Sequence, residues 1–212
     1  MIILKNITKT FKKQTKNGIP KTIFKDINLN IEKNDFIRIK GSNGSGKTSL
    51  LRLIKGNLHY DSGQIKYKGI KKGEIKIFSQ NTRSFFLNIT AFQNLKFFCL
   101  IKNITYKNLD EEILNLMREF EILDKKNFYV SSMSDGEIKK LILIRGLLYK
   151  PKLFLFDEIV NSLDINIKAK LYEKIINLDQ TIIWVSHNED NYLSDHFNKQ
   201  FLLQKGELIL CK

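Results

Sequence analysis

The chain has 212 residues, 42% of them hydrophobic, so it can fold as one domain with a substantial core. Its longest apolar run is Phe97–Ile101, which is far shorter than the roughly 20 residues of a membrane-spanning helix. The net charge of +14 reflects 31 lysines and only 5 arginines. Lys, like the abundant Ile and Asn, has A/T-rich codons, so base composition can account for this charge, and we expect no nucleic-acid partner. A basic surface that faces anionic lipid or acidic loops is the alternative. The N-terminus has no basic region before an apolar stretch, so we expect no signal peptide. The two cysteines have no metal or redox spacing, which favours a reduced, intracellular protein.

The first half of the chain predicts short strands on either side of a glycine-rich loop. Alternating apolar residues at 27, 29 and 31 indicate a half-buried strand. The segment Phe36–Lys40 has strand composition and leads into the loop, and Ser49–Lys55 after it consists of helix formers and ends at Gly56, a suitable C-cap. Two further short strands, separated by glycine turns, are predicted at 64–67 and 74–78.

The second half of the chain begins with helical patterns and ends with strands. From Thr90 to about Leu123 apolar residues recur at helical spacing, and a second helical row runs from Ile138 to Leu148. The runs 153–156 and 181–185 are apolar without alternation, which is typical of strands in a sheet covered on both faces. A helix is predicted at 167–178 and a terminal hairpin at 200–210, turning at Lys205-Gly206. This order predicts an α/β core with a helical insertion.

The glycine-rich loop fits the pattern G-x-x-x-x-G-K-[ST], which describes a loop whose backbone N–H groups surround nucleotide phosphates. A helix that opens at Lys47 adds the positive end of its dipole, Lys47 adds a cation for the β- and γ-phosphates, and the Thr48 hydroxyl is placed to bind Mg²⁺. A chance glycine-rich turn is the alternative, but the strand before the loop and the helix after it are the context that the motif requires. The candidate phosphate-binding residues are Gly41, Ser42, Asn43, Gly44, Ser45, Gly46, Lys47, Thr48 and Ser49.

Two carboxylates, Asp157 and Glu158, end the apolar run 153–156. Asp157 suits a direct or water-mediated contact with Mg²⁺, and Glu158 suits orienting or deprotonating a water that attacks the γ-phosphate. Strands often end in an acidic turn or helix-cap residue, so the pair alone is a weak signal. Its position about 110 residues after a phosphate loop makes it a strong one.

The chain resembles the ATP-binding subunit of an ABC transporter over essentially its whole length. Six motifs stand in the family order: Gly41–Thr48, Gln80, Ser134–Glu137, Asp157–Glu158, Asn161–Asp164 and His187. The resemblance implies an α/β fold, with a P-loop ATPase core whose mixed sheet is flanked by helices, an antiparallel β subdomain and a helical subdomain. It also implies one ATP-binding domain over residues 1–212, with the helical insertion at about 90–150.

The resemblance assigns roles to the remaining motifs. Gln80 would contact Mg²⁺ and sense the membrane partner, and His187 would contact the γ-phosphate. Ser134 and Gly136 would hold the γ-phosphate that the opposite subunit binds. Phe11 would stack on adenine, where the family usually has a tyrosine. Taken alone, Gln80 and His187 are more simply ordinary polar residues at strand ends, and Phe11 could be a core residue like other aromatics nearby.

The signature segment departs from the family pattern, which normally reads Ser-Gly-Gly-Gln. Asp135 replaces a glycine and Glu137 a glutamine, whereas Ser134 and Gly136 are retained. Ser134 and Glu137 also form the S-x-x-E capping box that starts a helix. Asp135 favours the helix dipole but brings negative charge toward a bound triphosphate, and we expect the variant to remain compatible with activity. Ile159 stands where the family usually has a proline.

The function implied by the resemblance is ATP hydrolysis by a head-to-tail dimer around two ATP molecules with Mg²⁺. The dimer would be a homodimer or a pair with another ATPase subunit, and it would drive a separate transmembrane permease from the cytoplasmic side of the membrane. Segment 89–98 resembles heme-exporter ATPases of cytochrome c maturation, so heme or another exported small molecule is a candidate substrate. The alternatives are a soluble ABC-type ATPase of translation or DNA repair, which usually has two tandem units or a long coiled coil, and a non-hydrolysing regulatory module, against which Glu158 and His187 argue.

Overall fold

The computed structural model of the chain describes residues 1–11, 20–79, 84–104, 107–157, 163–186 and 191–211. The strands are β1 Ile2–Phe11, β2 Lys21–Ile31, β3 Phe36–Lys40, β4 Ser62–Tyr67, β5 Ile75–Phe78, β6 Leu153–Asp157, β7 Thr181–Ser186, β8 Lys199–Gln204 and β9 Glu207–Leu210. The helices are α1 Lys47–Lys55, α2 Ala91–Ile101, α3 Leu109–Glu119, α4 Asp135–Leu148 and α5 Ile165–Ile176. Short 3-10 turns lie at Lys72–Glu74, Leu123–Lys125, Val130–Ser132 and Asn191–His196. Within these ranges no helix is both long enough and apolar enough to cross a membrane.

The chain divides into two compact units. Unit 1 consists of Met1–Ile77, Lys152–Glu158 and Asp179–Lys212, and unit 2 consists of Phe78–Pro151 and Ile159–Leu178. A mixed sheet, an antiparallel sheet and helices build the α/β P-loop fold that the sequence predicts.

The mixed sheet positions the candidate site. Its strand order is β5-β6-β7-β3-β8-β9, and β6, β7, β3 and β8 run parallel, while β9 is antiparallel to β8. Lys40, the last residue of β3, pairs in register with Ser186, the last residue of β7, and Asp157 at the end of β6 pairs with Val185. The carboxyl ends of these strands therefore meet at one edge of the sheet, where ligands bind in α/β proteins.

The antiparallel sheet has the order β2-β1-β4 and belongs to unit 1. Its alternating side chains form one buried face, which includes Ile2, Leu4, Ile27, Leu29 and Ile31. Strand β1 was not predicted from the sequence. Its register shifts after Leu4, and its Asn6 has φ 49°, so a bulge interrupts the alternation by which a strand is recognised.

Unit 2 is mainly helical. The helical pattern predicted from Thr90 to about Leu123 corresponds to two helices, α2 and α3. A capping box of Thr90 and Gln93 starts α2, and Asn103 takes a left-handed φ of 52° after its end. Helix α4 is buried on almost all sides and packs with α2 and α3, and Leu95, Met117 and Leu141, one from each helix, are fully buried.

Helix α4 lies so close to Phe78 that only a glycine fits at position 146. A Cβ atom on Gly146 would lie 2.1 Å from Phe78 Cε1, and the Phe78 side chain is fully buried. We expect Gly146→Ala to lower the free energy of unfolding by about 1–3 kcal/mol, because this overpacking outweighs the gain in helix propensity. Urea unfolding of the two proteins measures the difference.

Gly136→Ala on the same helix is the matched control, since its Cβ would meet no atom closer than 4.0 Å. Equal stability of the Gly146→Ala protein and the parent would show that moving Phe78 aside costs no more than the gain in helix propensity.

Candidate functional site

The phosphate loop joins β3 to α1 in the conformation that its glycines allow. Gly44 and Gly46 have φ values of 75° and 107°, and a Cβ on Gly46 would lie 2.7 Å from Ile23 Cγ2. Gly46 is the N-cap of α1, so no side chain caps the first turn, and that turn contains no acidic residue. The N-terminus of α1 can therefore direct backbone N–H groups and its dipole at an anion.

Two side chains of this loop are suited to hold phosphate. Lys47 is only 5% exposed, and its Nζ donates to the carbonyl oxygens of Gly41 at 2.8 Å and Ser42 at 3.0 Å, which hold the ammonium inside the loop. Ser45 Oγ is buried and has no hydrogen-bond partner in the described part of the chain. Buried hydroxyls normally have partners, so Ser45 is a donor that a bound phosphate would satisfy.

Thr48 and Asp157 meet although 109 residues separate them in the chain. Thr48 Oγ1 donates to Asp157 Oδ1 at 3.0 Å, and the Asp157 side chain is largely buried at the end of β6. Mg²⁺ prefers oxygen ligands and is usually held by one or two protein side chains, nucleotide phosphates and water. The hydroxyl and carboxylate therefore fit the Mg²⁺ site that the sequence predicts.

The signature residues start α4 in unit 2. Ser134 is the N-cap and forms a capping box with Glu137, as predicted, and Asp135 and Gly136 are exposed in the first turn. The pKa of the Glu137 carboxyl is lowered, chiefly because it accepts a hydrogen bond from the backbone N–H of Ser134 and also because Lys125 is near. Glu137 is therefore a carboxylate at neutral pH.

Phe11 ends β1 with its side chain 40% exposed. Phe24 is fully buried, so of these two aromatics Phe24 is the core residue. Lys9 Nζ lies 5.5 Å from the centre of the Phe11 ring. An exposed ring beside a cation can stack on a base, and this role of Phe11 remains a prediction.

Unit 1 thus brings together the loop Gly41–Thr48 and Asp157, whereas Ser134 and Gly136 belong to unit 2. Ser49 follows in the first turn of α1. The remaining candidates lie outside the described residues; they are Gln80, Glu158, Asn161, Ser162 and His187.

Sequence reasoning gave Arg145 no role, yet it links α4 to the segment that follows Gln80. Arg145 is 7% exposed, its Nη1 donates to Ser84 O at 2.8 Å, and its Nη2 donates to Ser84 Oγ at 2.7 Å. Its guanidinium lies 4.2 Å and 4.6 Å from the ring centres of Phe85 and Phe98, and burial lowers its pKa. A charged residue within the apolar row of α4 was a signal that Arg145 has a buried partner, although it does not identify Ser84 as that partner.

Comparison with known proteins gives related families and folds. The model of the family described as "ABC transporter" matches residues 24–161. The spermidine/putrescine import ATP-binding protein PotA of Clostridium novyi is 27% identical over 98% of this chain and 60% of its own length. The protein of the same name from Mycoplasma mycoides is 27% identical over 90% of this chain and 55% of its own length. The chain therefore spans 60% or less of these relatives.

Solved structures share the fold. A dimeric ATP-binding cassette in a post-hydrolysis state, bound to ADP and Pi, superposes with a TM-score of 0.83 at 22% identity, covering 98% of this chain and 96% of the other. An ATP-binding subunit of an ABC transporter superposes with a TM-score of 0.83 at 16% identity, covering 98% and 88%. At these identities the similarity establishes the α/β cassette fold.

Proposed function

Since this chain belongs to the ABC transporter family, as an ATP-binding domain of that family, we propose that residues 1–212 form one domain that hydrolyses ATP to drive a separate membrane permease. The observation that carries the proposal is the 3.0 Å contact between Thr48 and Asp157, beside a loop built to hold phosphate. An anion-binding loop beside two oxygen ligands suits a nucleoside triphosphate bound together with Mg²⁺.

In the proposed mechanism the loop N–H groups and Lys47 bind and orient the β- and γ-phosphates. Thr48 and Asp157 would hold Mg²⁺, which neutralises charge on the phosphates when bound. Glu158 follows Asp157 directly in the sequence, and it would accept a proton from the water that attacks the γ-phosphate. His187 and Gln80 would contact the γ-phosphate and the metal, as the family resemblance implies.

We propose that two such subunits, identical or paired with another ATPase, enclose two nucleotides. Ser134 and Gly136 of each subunit would complete the site of the other, because the first turn of α4 has backbone N–H groups suited to an anion. One of the solved structures with this fold is described as dimeric, which supports the proposal. Closing and reopening of the dimer would move the permease.

The partner would place the chain on the cytoplasmic side of a membrane as a peripheral subunit. The two relatives named above are import ATP-binding proteins for spermidine and putrescine, so they support a transport role but give no support to heme as substrate. They also give no support to a soluble ATPase of translation or DNA repair. Isolation of the tagged protein from its native membranes tests this point, since recovery with ribosomes or DNA instead of an integral membrane protein would favour that alternative.

Thr48→Val tests the metal site directly. The substitution keeps the side-chain shape and removes the hydroxyl that contacts Asp157, so the gain in ATP affinity on adding Mg²⁺ is expected to fall about tenfold or more. Titration of a fluorescent ATP analogue with and without Mg²⁺ measures the change. Thr22→Val on the exposed face of β2 is the matched control. If Mg²⁺ raised the ATP affinity of the Thr48→Val protein as much as that of the parent, the assignment of Thr48 as a Mg²⁺ ligand would be wrong.

A further inference from the structure

The first turn of α4 contains a carboxylate that engages the Ser134 hydroxyl. Glu137 Oε2 accepts hydrogen bonds from Ser134 N at 2.7 Å and from Ser134 Oγ at 3.0 Å. Ser134 Oγ in turn accepts from Glu137 N at 3.3 Å. The hydroxyl is therefore occupied both as donor and as acceptor within its own turn.

A serine hydroxyl has one proton to donate. Nucleotide phosphate oxygens are acceptors, so Ser134 can bind one through its hydroxyl only if this proton turns away from Glu137. Hydrogen bonds to a carboxylate are roughly twice as strong as bonds to a neutral acceptor. Releasing the hydroxyl therefore costs more in this chain than it would beside the glutamine of the usual signature.

Lys125 contacts the same carboxylate from the other side. Its Nζ lies 3.5 Å from Glu137 Oε1, the oxygen that Ser134 does not use, and 3.9 Å from Asp124 Oδ2. It also lies 4.6 Å from the ring centre of Phe128, which limits its freedom. The side chains of Lys125 and Glu137 are only 30% and 26% exposed, so solvent screens their attraction incompletely. This cation reduces the negative charge beside Ser134 and weakens the carboxylate as an acceptor.

We infer that Glu137 competes with bound nucleotide for the Ser134 hydroxyl, and that Lys125 limits this competition by pairing with the carboxylate. The inference rests on the proposed function, since Ser134 meets a γ-phosphate only in the proposed dimer. Lys125 acts through Glu137 and is a positioning residue. The competition sets how readily ATP closes the dimer, without altering the phosphate loop that binds ATP first.

The test compares ATP-driven dimerisation of four proteins, each with Glu158→Gln to prevent hydrolysis: the parent, Glu137→Gln, Lys125→Met and the double variant. Sedimentation measures the dimer dissociation constant with Mg²⁺ and ATP. Glu137→Gln is expected to tighten the dimer about threefold to tenfold, because an amide releases the hydroxyl more readily. Lys125→Met is expected to weaken the dimer by a similar factor, but to have no effect when Glu137 is already glutamine.

The controls separate this effect from folding and from loss of charge. Glutamine also completes a capping box but lacks the charge that the Ser134 N–H and Lys125 stabilise, so thermal unfolding of the Glu137→Gln protein should show only a small loss of stability, and the protein should remain folded. Lys126→Met removes the same charge from an exposed neighbouring residue, and it should leave dimerisation unchanged.

Each other outcome overturns the inference. Equal weakening by Lys125→Met with either residue at position 137 would show that Lys125 acts only on structure. An unchanged or weaker dimer of the Glu137→Gln protein would show that the hydroxyl is not contested. If the parent forms no dimer with ATP, the proposed function fails, and the inference fails with it.

Discussion

The Lys47→Ala protein is expected to bind ATP at least about 100-fold more weakly than the parent. An ammonium about 4 Å from a phosphate charge contributes roughly 4 kcal/mol at an effective dielectric constant of 20, and the buried position of Lys47 limits screening by solvent. The substitution also leaves the carbonyls of Gly41 and Ser42 without their shared cation. Direct titration with a fluorescent ATP analogue measures the affinity.

Lys33→Ala removes an exposed lysine from unit 1 and is the matched control, with no expected change in affinity. Parent-like binding by the Lys47→Ala protein would contradict the phosphate-loop assignment, and with it the proposed function.

The Glu158→Gln protein is expected to hydrolyse ATP roughly 10²–10⁴ times more slowly than the parent, the range of effects for loss of a general base. Glutamine keeps the size of the side chain but cannot accept the proton of the attacking water. ATP binding should persist because Lys47, Thr48 and Asp157 are intact, and an ATP-bound dimer should accumulate. Phosphate release measures the loss of hydrolysis, and the ATP affinity measured beside it shows whether binding persists.

Glu173→Gln, at an exposed position of α5, serves as the control for removing one negative charge. Parent-like turnover in the Glu158→Gln protein would assign the proton transfer to another group. A combined loss of binding and turnover would place Glu158 in nucleotide binding instead.

The strand-loop-helix unit of the site could be predicted because its information is local. The glycines, Lys47 and Thr48 lie within one short segment, and the apolar run before Asp157 predicts a buried parallel strand. Parallel strands place their carboxyl ends at one edge, so the meeting of Thr48 and Asp157 follows from the topology. The terminal hairpin and the capping box of α4 are also encoded in short segments of the sequence, and both agree with the prediction.

The contacts that the sequence did not predict depend on side chains that meet only after the elements pack. Arg145 reaches Ser84 across 61 residues, and no periodicity indicates such a pair. Lys125 lies in a short 3-10 turn that has no repeating pattern, so its approach to Glu137 could not be foreseen. Strand β1 was missed because its bulge breaks the alternation that identifies strands.

The strand order of the two sheets has a consequence for how the chain acquires its structure during synthesis. The three strands paired in the sheet β2-β1-β4 all end by Tyr67, whereas β3 has β7 and β8 as its neighbours, and these end at Ser186 and Gln204. Pairings between distant segments form slowly, so a growing chain can complete the antiparallel sheet while β3 still lacks both partners. Proteolysis of ribosome-stalled chains would contradict this order if β3 were protected before Ser186 had been added. The strand that leads into the phosphate loop is thus made early, yet it gains both of its neighbours only after β8 has been synthesised.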